Sequence, residues 1–229
     1  MSSVAAALAE VRERIARAAR AAGRDPAEIR LVAVSKTKPA EMIREAYAAG
    51  QRDFGENYAQ ELAAKAEALG DLADLRWHFI GHLQRNKARV VARHAHLVHT
   101  VDGAALATEL GRRALAAGRA PLRVMIELNV GLEAQKQGVP PGDAAELARA
   151  IRADATLRLV GFMTMPPAGD PDAARAVFDR VRRVRDEIAD PDVRDLSMGM
   201  SDDLEIAVAC GATIVRIGSA VFGARTLPA

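Results

Sequence analysis

The sequence predicts a closed (β/α)8 barrel with an additional helix at its N-terminus. Three observations lead there. Eight short runs rich in Val, Ile and Leu recur along the chain, in strict alternation with Ala/Arg/Glu-rich helical patterns. Such alternation implies right-handed βαβ crossovers and therefore a parallel sheet. No linker, low-complexity tract or break in composition divides the 229 residues, so residues 1–229 read as a single domain. The rival fold, a doubly wound open sheet, usually opens with a Gly-rich turn after its first strand. Here the first strand runs into SKTKP, without glycine.

The opening MSSVAAALAEVRERIARAAR reads as an amphipathic helix: Ser3 is its N-cap, Val4, Leu8, Val11 and Ile15 share one face, and Gly23 lies just past its end. Its apolar stretch turns charged by Glu10, the wrong order for a secretory signal. Strands follow at 31–36, 53–57, 76–82, 97–102, 122–130, 158–165, 195–200 and 214–219. Helical patterns lie between them near 40–49, 59–69, 84–93, 104–117, 143–153, 171–189 and 202–210. Barrel sites are built where strands end at the C-terminal face. Those ends carry Lys36, Asn57, His82, Asp102, Asn129, Thr164, Ser201 and the pair Gly218 and Ser219.

Composition excludes several classes of function. Half the residues are apolar, too many for a disordered chain. Lys and Arg number 32 against 30 Asp and Glu, which argues for no nucleic-acid partner, and aromatics for base stacking make up only 3%. Four basic residues between 84 and 93, namely Arg85, Lys87, Arg89 and Arg93, read as a solvated helix face. No apolar run approaches the roughly 20 residues of a membrane span. The lone Cys210 excludes a disulfide framework and fits the reducing cytoplasm; it reads as a small buried apolar residue. His94, His96 and His99 lack a Cys or carboxylate at metal-ligand spacing, with His94 and His96 expected on one strand face and His99 on the other. His78 and His82 are expected in hydrogen-bonded or ring-packing roles, and Met163, Met165, Met198 and Met200 in packing the barrel top.

In LVAVSK, period-two alternation sets Val32, Val34 and Lys36 on one face and Ala33 and Ser35 on the other. If the valines fill the barrel, Lys36 projects into its mouth, where burial favours the neutral, nucleophilic amine. Lys38, just before Pro39, is the alternative amine. In IVRIGSAVFGAR, Ile214 and Arg216 share the inner face of the last strand, and Gly218 and Ser219 open the following turn. Barrels build phosphate cradles there from backbone N–H groups. Ser201, ending the seventh strand in SMGMSDD, is placed both to cap a helix from Asp202 and to face the same phosphate. An amine on strand one, a cradle on strands seven and eight and an inward Arg216 share one corner of a closed barrel. An aldehyde bearing a phosphate satisfies them: pyridoxal 5′-phosphate held as a Schiff base, with Arg216 at its pyridine nitrogen.

The stretches VAVSKTKP (32–39), FGENYAQE (54–61), WHFIGHLQRNK (77–87), GFMTM (161–165), SMGMSDD (197–203) and VRIGSAVFG (215–223) resemble the pyridoxal phosphate homeostasis protein family, of the YggS/PROSC type. The resemblance runs from the first helix to the final FGAR. It implies a barrel similar to the N-terminal domain of alanine racemase, with Lys36 holding the cofactor. It places Asn57 near the cofactor ring, Arg216 near the pyridine nitrogen, and Ser201, Gly218 and Ser219 at the phosphate. NVGLEAQKQG (129–138) matches only loosely: Glu133, Lys136 and Gly138 are kept, but Ala-Gln precedes the lysine where Ser or Thr is frequent.

Two functions follow from the resemblance. One is a cytoplasmic, monomeric, non-catalytic protein of pyridoxal phosphate homeostasis that stores the cofactor or delivers it to apo-enzymes. The other is an alanine-racemase-like amino-acid enzyme. Racemisation needs acid/base groups on both faces of the carbanion. The chain's two tyrosines, Tyr47 and Tyr58, are expected in shell helices, and its length is spent on the barrel. An arginine at the pyridine nitrogen also weakens the ring as an electron sink. Both points favour the carrier.

Overall fold

A computed structural model describes residues 3–131 and 137–224. Its eight strands are all parallel and close into a barrel, each pairing with its neighbour in sequence: β1 (Arg30–Val34), β2 (Asp53–Glu56), β3 (Arg76–Phe79), β4 (Leu97–Val101), β5 (Leu122–Glu127), β6 (Leu157–Met163), β7 (Asp195–Ser197) and β8 (Ile214–Ile217). Closure is made by β1 against β8, in a register that sets Arg30 beside Ile214 and Ala33 beside Ile217. The helices are α1 (Val4–Ala21), α2 (Ala40–Ala48), α3 (Ala59–Ala68), α4 (Ala88–His94), α5 (Ala104–Ala116), α6 (Ala144–Ala153), α7 (Pro171–Ile188), α8 (Leu204–Ala209) and the single turn α9 (Ser219–Phe222). The chain is a (β/α)8 barrel with an N-terminal helix.

Alternation along the strands separates two cores. Val32, Leu97, Met125, Val160 and Ile214 pack inside the barrel. Their neighbours Ala33, Val98, Ile126, Val215 and Ile217 join a larger cluster between sheet and helices. Below the inner apolar layer, at the N-terminal ends of the strands, Asp53 Oδ2 accepts from Arg76 Nη2 at 2.7 Å.

The N-terminal helix has a structural task. With α9 only one turn long, the seam between β8 and β1 lacks a full helix, and α1 takes that place, packing against α8, α9 and α2. Ser3 caps it through its hydroxyl, which accepts from the Ala6 amide at 3.2 Å. Val4, Leu8, Val11 and Ile15 are buried on one face, and Gly23 follows with φ of 67°. Arg14 makes a two-pronged bond to Glu205 at 2.6 Å on each arm. Arg24 Nη1 donates to the carbonyls of Val208 and Ala212, satisfying the C-terminal end of α8.

Several strands end earlier than the sequence suggests. The first stops at Val34, the third at Phe79 and the seventh at Ser197, so Lys36, His82 and Ser201 stand in the loops beyond. The helix expected over 84–93 is a 3-10 turn, Arg85–Lys87, followed by α4; Arg85, Arg89 and Arg93 are exposed on it. His94 ends that helix instead of sharing a strand face with His96, because the Ala/Val pattern of 88–92 carries the helix through it. Ser201 does not cap the following helix. Asp203 precedes α8, and its carboxylate accepts from the Met200 amide at 2.6 Å, tying the turn that carries Ser201. Glu133, Lys136 and Arg225 lie outside the described residues. No described helix is long and apolar enough to cross a membrane.

Candidate functional site

At the C-terminal face of the barrel, Lys36, Asn57, Ser201, Arg216, Gly218 and Ser219 line one cavity of about 280 Å³. Six positions spread over more than 180 residues of sequence thus meet at the seam of β1, β2, β7 and β8. Val34, Ile80, Met165 and Met200 supply apolar wall, and Lys38 lies on the same rim. The four methionines divide: Met163 and Met198 are fully buried, while Met165 and Met200 reach the cavity and are partly exposed.

The turn carrying Lys36 is clamped on both sides by α3. Lys65 Nζ donates to the Ser35 carbonyl, to Glu56 Oε1 and to Glu61 Oε2 at 2.8, 2.8 and 2.9 Å. Glu61 Oε2 in turn accepts from the Thr37 amide at 2.8 Å, and Ser35 Oγ donates to Glu56 Oε1 at 2.7 Å. The residues before and after Lys36 are therefore both held by one ion-pair cluster. Thr37 needs it: a β-branched residue at φ of 61° is strained by on the order of 1–3 kcal/mol. Burial raises the Glu56 carboxyl, against the pull of Lys65 and Ser35. Lys38 Nζ donates to the Ala224 carbonyl at 2.8 Å.

Asn57 follows β2, and its backbone lies so near Gly81 that a Cβ there would sit 2.1 Å from the Asn57 carbonyl oxygen. Its side-chain Oδ1 is buried in the wall without a hydrogen-bond partner. A buried acceptor left unmade costs stability, so such an atom marks a place where a ligand donor fits. Arg216 is 4% exposed and stays cationic, although burial brings it down to about 10. Gly218 brings the turn after β8 against β1; a Cβ would lie 3.3 Å from the Val34 carbonyl. Ser219 opens α9, where the first N–H groups of a helix lack intrahelical acceptors.

The alanine racemase N-terminal domain family matches residues 7–226. A pyridoxal phosphate homeostasis protein of Pseudomonas aeruginosa is 50% identical over 226 residues, covering 98% of this chain and 97% of its own. Its counterpart in Escherichia coli K12 is 45% identical over 232 residues, covering 98% of each chain. The chain belongs to the pyridoxal phosphate homeostasis protein family. Among solved structures, PipY of Synechococcus elongatus with pyridoxal phosphate bound superposes with a TM-score of 0.83 at 37% identity, covering 96% of this chain and 100% of its own. Lysine decarboxylase from Selenomonas ruminantium shares the fold, with a TM-score of 0.67 at 16% identity.

Deeper in the barrel of this family member, His78 takes the hydrogen-bonded role expected of it, but its connection to Asp53, His99 and Ser197 was not foreseen from sequence. Asp53, His78, His99 and Ser197 are buried and hydrogen-bonded in series, and Ser35, Glu56, Glu61 and Lys65 form a separate cluster against α3 that was not foreseen either. One signal was present: Asp53, His78, His99 and Ser197 each fall on the inward register of their strand. Among the described residues, no group of three or more His, Cys, Asp or Glu is placed to hold a metal. Neither tyrosine lines the cavity. The Tyr47 hydroxyl donates to Asp74 on the outer shell, and Tyr58 precedes α3, half-exposed, instead of lying within it.

Proposed function

We propose that this protein binds pyridoxal 5′-phosphate in the barrel-mouth cavity and acts in cofactor homeostasis, as a cytoplasmic, monomeric reservoir that delivers it to apo-enzymes without turnover of its own. The supporting observation is the convergence of an amine, an orphaned acceptor, an inward guanidinium and a Gly-Ser turn on one cavity, in a chain half identical to a named homeostasis protein. The residues present suit the group: Lys36 would hold its aldehyde as a Schiff base, Ser201, Gly218 and Ser219 its phosphate, Asn57 the ring edge and Arg216 the ring nitrogen. The bound group supplies a reversible carbonyl and an electron-accepting ring. The side chains here bind and orient it, and a cationic Arg216 keeps a proton off the ring nitrogen.

The alternative, a racemase-like amino-acid enzyme, needs a proton donor on the ring face opposite Lys36. Tyr47 and Tyr58 stand away from the cavity, which favours the carrier. The test starts with purified protein loaded with pyridoxal phosphate, reduced with borohydride and digested. Mass spectrometry should find the label on Lys36; a label on Lys38, or on no lysine, overturns the assignment. Loaded protein should then reactivate an apo-enzyme that depends on this cofactor, while common amino acids undergo no sustained conversion. Multiple-turnover racemisation abolished by Lys36→Ala would replace the carrier by the enzyme.

A further inference from the structure

The barrel interior contains a continuous row of hydrogen bonds that ends on Arg216. Asp53 Oδ1 lies 2.9 Å from His78 Nε2, His78 Nδ1 lies 2.8 Å from His99 Nε2, and His99 Nδ1 lies 2.8 Å from Ser197 Oγ. Arg216 Nη1 donates to that Ser197 Oγ at 2.8 Å, and Nη2 donates to the Thr164 carbonyl at 3.0 Å. His78, His99 and Ser197 are fully buried, and Asp53 is 5% exposed. The row crosses from β2 through β3 and β4 to β7 and β8.

The protons in this row have one consistent arrangement. Partners His78 and Arg76 hold the Asp53 carboxyl below its ordinary value against the opposing effect of burial, so it only accepts. His78 Nε2 must then carry a proton. Burial keeps both imidazoles neutral near pH 7. A neutral ring has one N–H, so His78 Nδ1 accepts, His99 Nε2 donates to it, and His99 Nδ1 accepts in turn. The Ser197 proton therefore points to His99, leaving its oxygen to accept from Arg216. Every donor points away from Arg216 and towards Asp53. The guanidinium, which only donates, meets an oxygen that can only accept from it.

We infer that Asp53, His78, His99 and Ser197 are positioning residues for Arg216: a one-way chain of hydrogen bonds across the barrel that fixes the guanidinium and decides which of its N–H groups face the cavity. This rests on the proposed function only for its ligand readout; the proton order belongs to the unloaded protein. A side chain as long as arginine would otherwise sample several rotamers in a cavity of this size. Two bonds on its terminal nitrogens, one of them backed by three buried groups, remove that freedom before any ligand arrives.

Two measurements test it. In unloaded protein near neutral pH, long-range ¹⁵N–¹H correlation spectra should show His78 and His99 both as Nε2–H tautomers. An Nδ1–H tautomer, or an imidazolium, at either residue overturns the relay whether or not the cofactor binds. In loaded protein, His99→Leu and Ser197→Ala should shift the absorption band of bound pyridoxal phosphate and speed its release about tenfold, as expected for losing one charge-assisted bond. His99→Gln, whose amide can accept from Ser197 and donate to His78, should restore much of the parent's band and release rate. Folded His99→Leu and Ser197→Ala proteins that keep the parent's spectrum and release rate overturn the inference. Should both variants fail to fold, the tautomer measurement decides alone. A parent protein that takes up no pyridoxal phosphate sinks the proposed function instead, and the tautomers still judge the relay.

Discussion

At the scale of single residues, the cavity sorts groups by whether their chemistry or their backbone counts. Ser219 is exposed at the first position of α9, and its amide remains after any side-chain change. Ser219→Ala should therefore alter pyridoxal phosphate release by no more than about twofold, whereas Ser219→Asp, setting a carboxylate beside a phosphate dianion, should speed it more than about tenfold. Equal release from both variants would remove this turn from the site. Glu127 ends β5, 5% exposed, and burial first, then the neighbouring Asp102, push its carboxyl up to about 7. A raised carboxyl means the folded state favours the protonated form. Its contribution is complete below about pH 4.5 and lost as pH rises through about 7, on the order of 3 kcal/mol in all. Glu127→Gln should thus be more stable than the parent at pH 8.5 and similar to it at pH 4; a parent that is the more stable protein at pH 8.5 contradicts this. Arg216 was legible because alternation along β8 gives its facing, whereas Lys36 reaches the cavity from the turn beyond β1 and not from the strand face that alternation assigned it. The clamp around Lys36 was not legible, since Ser35, Glu56, Glu61 and Lys65 meet only when α3 folds back across β1 and β2. The relay likewise needs strand register, which one strand's pattern does not contain.

At the scale of elements, strand and helix types followed from periodicity, and their ends did not. Past Phe79 and Ser197 further backbone bonds are made, by Ile80 to the Glu56 carbonyl and by Met198 to the Ile214 carbonyl, before the chain turns into its loop. Composition carries no signal of where that turn begins. Ser201 was expected to cap α8, yet the helix starts after Asp203, whose carboxylate accepts from the Met200 amide across the turn. Gly81 is where an element's path depends on a missing side chain. Gly81→Ala must displace Asn57 and should cost about 1–3 kcal/mol of stability together with cofactor retention. Gly103→Ala, with open space around its Cβ, should do neither. An alanine at 81 that retains ligand as the parent does would show that Asn57 needs no such placement. For α1, Leu8→Ala opens a fully buried site and should destabilise by about 2–5 kcal/mol, while Glu10→Ala on the exposed face should stay within about 0.5. Urea titration separates the two; equal effects would mean that α1 does not seal the seam.

At the scale of the whole molecule, the chain's first helix and last strand share one seam, and the candidate site lies at the top of it. Lys36 follows β1, the first strand made, and Gly218 and Ser219 follow β8, the eighth, yet the two strands touch. This has a consequence for biosynthesis. A ribosome-bound chain that lacks β8 carries Lys36 but neither Arg216 nor the turn of Gly218 and Ser219, and its α1 has no finished shell to complete. Ligand capture is thus deferred until β8 has been made, and a ligand that stabilises only the closed ring rewards completion of the eighth βα unit. Arrested chains ending before residue 214 should hold no pyridoxal phosphate, and those extending past Phe222 and clear of the exit tunnel should acquire it in one step. Retention rising gradually with chain length would contradict this. Cofactor uptake would then serve the cell as a proof that translation of this barrel has finished.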